Sequence, residues 1–323
     1  MDGPARGSHS RRAMLVLNAL APTFLIIALG AAMQRSGAVS PGFLREANRV
    51  TYWLGLPALL FSQLVSSLHD AAGAEKLLAA MFVTTLLVLL VGYAVAWTLR
   101  VPGALMGTFV QGAFRGNLAF VGLPIVFSLP DAPVLAGLTL HGAAVIAVAP
   151  TMVLYNIGGV MVLTISQHTF GWRMVGPVLK QLAVTPPLLA TLAGIGFVAM
   201  GWTLPQAIDQ ALVALGEMAL PLGLLGVGGS IAGAKLGGAW RIPLSAALIK
   251  TWLGPAVGWL AAWLCGLGPR ETVLVMLLAA CPTAIVSYTM AVEMKGDGEM
   301  ASATIALSVV TSLASLAAVV SLF

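Results

Sequence analysis

The sequence predicts an all-α polytopic membrane protein, with about ten transmembrane helices arranged as two inverted five-helix repeats. Three observations carry this. Of 323 residues, 59% are hydrophobic and only 8% are charged, against about 25% charged in ordinary soluble domains. The apolar residues fall into ten segments, each long enough to supply the roughly 20 residues a helix needs to cross a bilayer. Prolines recur inside those segments at similar intervals in the two halves of the chain.

The segments cover 14–33, 48–67, 77–99, 106–129, 135–165, 182–200, 208–231, 243–265, 273–294 and 301–323. The polar tail Met1–Arg12 precedes the first. That first run is too long for the apolar core of a signal peptide and carries no clear cleavage site, so it reads as a span. Connections are short, and the longest polar one, 166–181, divides the chain nearly in half. The expected organisation is a first repeat over 1–165, a central cytoplasmic loop over 166–181 and a second repeat over 182–323.

Pro22, Pro57 and Pro124 lie in the first, second and fourth segments; Pro187, Pro221 and Pro282 lie in the sixth, seventh and ninth. Their spacings are 35 and 67 residues in the first half, 34 and 61 in the second. Leu56-Pro57-Ala58-Leu59-Leu60 also resembles Leu220-Pro221-Leu222-Gly223-Leu224. An odd number of spans per repeat forces the second copy to enter from the opposite side, which is an inverted-topology repeat.

Lys and Arg in short loops set orientation. Arg35, Arg45, Arg100, Arg173, Lys180, Lys235, Arg241 and Lys295 fall in the odd-numbered gaps, with Arg49 at the edge of the first of them, and only Lys76 and Arg270 in the even ones. This places the odd loops in the cytoplasm and both termini outside, although Arg6, Arg11 and Arg12 in the tail oppose it. Trp97, Trp202 and Trp240 near segment ends fit an aromatic belt; Trp252, Trp259 and Trp263 read as packing residues.

Composition excludes several classes. The net charge of +5 is spread over short loops, which argues against nucleic acid as a partner. His9, His69, His141 and His168 are scattered without metal-ligand spacing. Cys265 and Cys281 read as buried free thiols. No nucleophile–base or phosphate-loop pattern is present, so neither an enzyme nor a bound cofactor is expected.

The segment around 114–124, Phe114-Arg115-Gly116-Asn117-Leu118-Ala119-Phe120-Val121-Gly122-Leu123-Pro124, places a charge, an amide, two glycines and a proline inside an apolar run. Irregular backbone at membrane depth survives only where it is buried in protein or lines a wet cavity. Asn117 is therefore the first candidate substrate ligand, with an interhelical hydrogen bond as its purely structural counterpart. Arg115 divides evenly between a structural pair and direct anion attraction. Proline frees upstream carbonyls, and a half-helix starting nearby directs amides and its positive dipole end at an anion. Cys281-Pro282-Thr283-Ala284-Ile285-Val286-Ser287-Tyr288 is the matching interruption. There Thr283 and Ser287 offer hydroxyls, or bond back to their own helix. Tyr155-Asn156 is a polar pair at membrane depth, with a packing hydrogen bond as its structural reading. Glu217, Glu293 and Lys250 are the coupling candidates; Glu217 reads equally as a residue at a wet helix end, and Lys250 and Glu293 read first as residues that place span ends.

With these residues in view, the sequence resembles the auxin efflux carrier family, in the branch of bacterial malate/malonate-type permeases. The best-matched pieces are Gly116-Asn117-Leu118-Ala119-Phe120-Val121-Gly122-Leu123-Pro124 and Pro282-Thr283-Ala284-Ile285-Val286-Ser287-Tyr288-Thr289-Met290-Ala291-Val292-Glu293. The resemblance implies that spans 4 and 9 are broken at Pro124 and Pro282 and cross at the midplane. It implies a scaffold of spans 1, 2, 6 and 7 and a moving transport domain of spans 3–5 and 8–10. Asn117 matches the family's substrate-contacting asparagine, with Gly116, Gly122 and Pro124 in the same motif, and Tyr155 aligns with a substrate-facing position. Relatives often carry asparagine near the position of Ser287, so the second side-chain ligand departs from the pattern.

The expected function is a secondary transporter that moves a small organic anion, a carboxylate or auxin-like acid, by elevator-type alternating access in a cell membrane, here a bacterial inner membrane. The alternative is a sodium-coupled organic anion symporter of the bile-acid transporter type, followed by a channel or a non-transporting sensor. Sodium would need carboxylates, amides and carbonyls clustered at the break, and only the distant Glu293 qualifies. The expected partners are the anion and the lipid bilayer, with a homodimer left open.

Overall fold

The computed structural model describes residues 4–67, 74–135, 138–167, 176, 186–233 and 240–322. Most of the central loop, with Arg173 and Lys180, and the segment holding Lys235 lie outside these residues. In chain order the helices are α1 (Pro4–Arg35), α2 (Pro41–Val50), α3 (Leu56–Ser67), α4 (Ala74–Thr98), α5 (Gly103–Phe114), α6 (Leu123–Phe127) and α7 (Leu140–Gln167). They continue as α8 (Pro186–Ala199), α9 (Gln206–Gly233), α10 (Arg241–Leu248), α11 (Gly254–Leu264), α12 (Pro269–Ala280), α13 (Val286–Glu293) and α14 (Gly298–Val320). The chain is an all-helical membrane protein: among the described residues, five helical stretches are long and apolar enough to span a bilayer unaided, Met14–Arg35, Ala74–Thr98, Leu140–Ser166, Gln206–Gly233 and Gly298–Val320.

Three of the shorter helices continue longer rods. Widened π turns at Thr51–Gly55, Leu118–Gly122 and Ile249–Leu253 lead into α3, α6 and α11. Each ends two residues before a proline: Pro57, Pro124 and Pro255. A proline ring clashes with the carbonyl four residues back and donates nothing to it. One extra residue in the preceding turn moves that carbonyl aside, so the rod continues. Pro22, Pro150 and Pro221 instead sit inside α1, α7 and α9.

Where the sequence predicts helix from residue 135, a small antiparallel hairpin pairs Pro133–Leu135 with Leu138–Thr139. Arg270 Nη1 donates to the Pro133 carbonyl at 2.8 Å and ties the hairpin to the start of α12. Trp252, Trp259 and Trp263, expected in the packing, are about half exposed or more, on the outer face of α11 and the turn before it. The apolar exterior of a bilayer protein accepts them there.

Packing follows small residues. α1 lies along α9, where a Cβ on Gly228 would stand 1.9 Å from the Ile27 carbonyl oxygen and one on Gly30 would stand 2.2 Å from that of Leu225. α9 also packs on α3, and α3 on α8. A second set joins α4 to α5, α7 and α11, α5 to α7, α10 to α14, and α11 to α12. The longest unbroken runs of buried residues lie in α5 and the break after it, at the start of α7, and from the end of α12 into the second break.

Candidate functional site

α5 ends at Phe114, and Arg115, Gly116 and Asn117 leave the helix before the turn at Leu118. Asn117 caps the resumed segment: its side-chain oxygen accepts from the Phe120 amide at 3.2 Å. Asparagine is among the best residues for this cap. Gly116 has no room for a side chain, since a Cβ there would stand 2.9 Å from Lys250 Cε. The break therefore precedes Pro124, contrary to the sequence expectation, because the π turn absorbs that proline.

The second break follows α12 and runs from Cys281 to Ile285 before α13. Here the proline, Pro282, does lie within the break. The two interruptions bond to each other. The Asn117 amide donates to the Pro282 carbonyl at 2.7 Å, and the Ala284 amide to the Arg115 carbonyl at 3.0 Å. Gly116 and Thr283 thus face each other as an isolated antiparallel bridge. Thr283 Oγ1 donates to the Gly112 carbonyl at 2.8 Å, and its amide donates to Ser308 Oγ at 2.9 Å. Backbone groups freed by two helix breaks are satisfied across the crossing, as a water-poor interior requires.

A small cavity of about 40 Å³ opens beside the crossing. Arg115, Gly116, Asn117 and Phe120 line it from one break, Ala284, Ile285 and Val286 from the other, Tyr155 and Asn156 from α7, and Tyr52 from the turn before α3. Arg115 is buried. Its Nη2 donates to Asn156 Oδ1 at 2.5 Å, and its Nη1 reaches the Tyr155 carbonyl at 3.1 Å and Met290 Sδ at 2.9 Å. Among the described residues no carboxylate pairs with it; the ion pairs present are Arg49–Glu46 and His141–Asp131. Asn117 Nδ2 is buried without a hydrogen-bond partner among the described residues. The site is thus a guanidinium with neutral acceptors, an unused amide donor and the starts of two helical segments. Each favours a negative group over a positive one.

Of the residues singled out in the sequence, Asn117, Arg115, Gly116 and Tyr155 meet at this cavity. Gly122, Pro124, Pro282, Thr283 and Ser287 do not line it. Gly122 faces Cys281 and Leu278, and the Thr283 hydroxyl is spent on Gly112. Ser287 Oγ is buried with no partner among the described residues. Glu217 is exposed on the outer side of α9, and the side chain of Glu293 lies outside the described residues. Lys250, read as a residue placing a span end, is instead buried in the crossing, where Nζ donates to the Ala279 carbonyl. Asn156 is the residue whose role sequence reasoning missed: its position at membrane depth was visible, its pairing with Arg115 was not.

No curated protein matches the chain. A family described as membrane transport protein matches residues 15–170 and again residues 166–320. The two matches meet at the centre of the chain and each contains one of the two helix breaks. Its members are transporters, not enzymes, and over almost the whole of its length this chain belongs to the membrane transport protein family, the auxin efflux carrier family of the sequence resemblance.

Proposed function

We propose that the protein is a secondary transporter of a small organic anion, built as two inverted five-helix repeats and working by elevator-type alternating access at the crossing. The observation that carries the reading is Arg115. A buried guanidinium without a carboxylate is costly, and this one lines the cavity beside the unused donor of Asn117. An incoming carboxylate would supply the missing charge and accept from Asn117 Nδ2 and the amides of the helix starts. Tyr155 walls the same space.

The packing supports the division of labour. α9 packs on α1, α2 and α3, and α3 on α8, which suits a scaffold of spans 1, 2, 6 and 7. The crossing belongs to the other set, which suits a moving domain of spans 3–5 and 8–10. The short central connection favours the bacterial permease-like branch.

The test is uptake of radiolabelled malonate, malate and indole-3-acetate into proteoliposomes, wild type against Asn117→Ala. Saturable uptake of one of them, lost or cut at least about tenfold in the variant, is expected, since about 1.4 kcal/mol of binding corresponds to tenfold. Undiminished uptake of a verified substrate by Asn117→Ala would remove Asn117 from the site.

A further inference from the structure

Lys250 is buried with only 2% of its surface exposed, and no carboxylate pairs with it among the described residues. Its position is built by both breaks. In an unbroken helix the Ala279 carbonyl would accept from the Thr283 amide, four residues on. That amide donates to Ser308 Oγ instead, and Lys250 Nζ donates to Ala279 in its place. Gly254, one turn after Lys250, lets the two backbones approach, since a Cβ there would stand 2.9 Å from the Ala279 oxygen. On the other side Lys250 Nζ lies 3.2 Å from where a Gly116 Cβ would be. Gly116 is two residues past the end of α5.

The ammonium therefore sits between the C-terminal ends of α5 and α12. Both ends carry partial negative charge from their carbonyls. In transporters with interrupted helices, such ends and the unwound carbonyls beside them hold the coupling cation. An ammonium is a compact point charge with three donors, able to take that place while covalently attached.

We infer that Lys250 is a resident cation of the crossing: it occupies the position that an exchangeable metal cation would take, so the protein binds no sodium or potassium there. This rests on the reading of the crossing as a transport site and adds the coupling ion to it. A positive charge then stays fixed on the transport helices, whether or not the anion is loaded.

The experiment is thermal unfolding of the purified full chain, followed by tryptophan fluorescence, in sodium, potassium or choline chloride at equal ionic strength. The wild type unfolds at the same midpoint in all three. A midpoint that rises saturably with sodium or potassium relative to choline overturns the proposal. Lys250→Met keeps the apolar stem and Lys250→Ala vacates the site. Both lower the midpoint by about 4 °C or more, since the Ala279 carbonyl is left buried without its donor. For Lys250→Ala, added ethylammonium recovers part of the loss and tetramethylammonium, which has no N–H, does not. A Lys250→Met midpoint equal to the wild type, or equal recovery by the two amines, overturns the proposal. Should neither variant fold, the wild-type salt series decides alone. No arm uses a transport substrate, so a failed choice of anion leaves this result intact.

Discussion

Thr283 Oγ1 donates to the Gly112 carbonyl at 2.8 Å, joining the second helix break to the last turn before the first. It is a side-chain bond between two elements separated by more than half the chain, made where neither helix can satisfy that carbonyl alone. Thr283→Val leaves a buried acceptor unpaired and should cost roughly 1–3 kcal/mol, read as a lower unfolding midpoint. Thr283→Ser keeps the hydroxyl and should recover most of it. Because Thr283 does not line the cavity, the KM of a verified substrate should stay at the wild-type value in Thr283→Ser.

Gly122 belongs to the same crossing but to its packing. A Cβ there would stand 3.1 Å from Cys281 Sγ and 3.2 Å from Leu278 Cδ2. Gly122→Ala should destabilise by about 1–2 kcal/mol through overpacking. Cys281→Ala removes the sulfur and should relieve part of that cost, so the double variant should be more stable than the sum of the single effects predicts. A double-mutant cycle of unfolding free energies measures the coupling; strict additivity would show that the two residues do not press on each other.

The contact between α1 and α9 has no such flexible neighbour. At Gly228 the first obstacle to a methyl group is the Ile27 backbone, at 1.9 Å. Gly228→Ala must push two helices apart and should cost about 3 kcal/mol or more. Gly103 at the start of α5 has nothing within 4 Å of a Cβ. Gly103→Ala should leave the protein as stable or raise its stability by up to about 1 kcal/mol, by restricting the unfolded chain. Parallel unfolding curves of the two alanine variants separate these outcomes.

These contrasts also mark what the sequence could convey. The spans were legible because lipid burial demands long apolar stretches, and α4, α7, α9 and α14 keep close to the expected bounds. The break at 115–117 was legible because charge, amide and glycine together have no place in a lipid-facing helix. Its offset from Pro124 was not, because a π turn accommodates a proline without interrupting a rod, and nothing in composition marks that turn. Lys250 was misread for a different reason. Its role depends on which carbonyl the second break leaves unpaired, and that is decided by Ser308 on a separate helix. The pairing of Asn156 with Arg115 likewise joins two helices and leaves no trace in either local pattern.

That pairing allows the two roles of Arg115 to be separated by charge alone. Asn156 Oδ1 accepts from Arg115 Nη2 at 2.5 Å, and aspartate has nearly the same shape as asparagine. Asn156→Asp keeps the hydrogen bond, adds a negative charge and gives the guanidinium the internal partner it lacks. The fold should be at least as stable as the wild type. Anion affinity should fall roughly tenfold to a hundredfold, about 1.4–2.8 kcal/mol, because the substrate no longer supplies the only counter-charge. Asn156→Ala does the opposite: it leaves a buried donor unpaired, costing about 1–3 kcal/mol of stability, while Arg115 keeps its charge for the anion. If Arg115 only held α5 to α7, Asn156→Asp would strengthen that link and transport would be undiminished. Unfolding midpoints and competition of unlabelled malonate or malate against labelled substrate, measured on both variants, distinguish a guanidinium that recruits the anion from one that only fastens two helices.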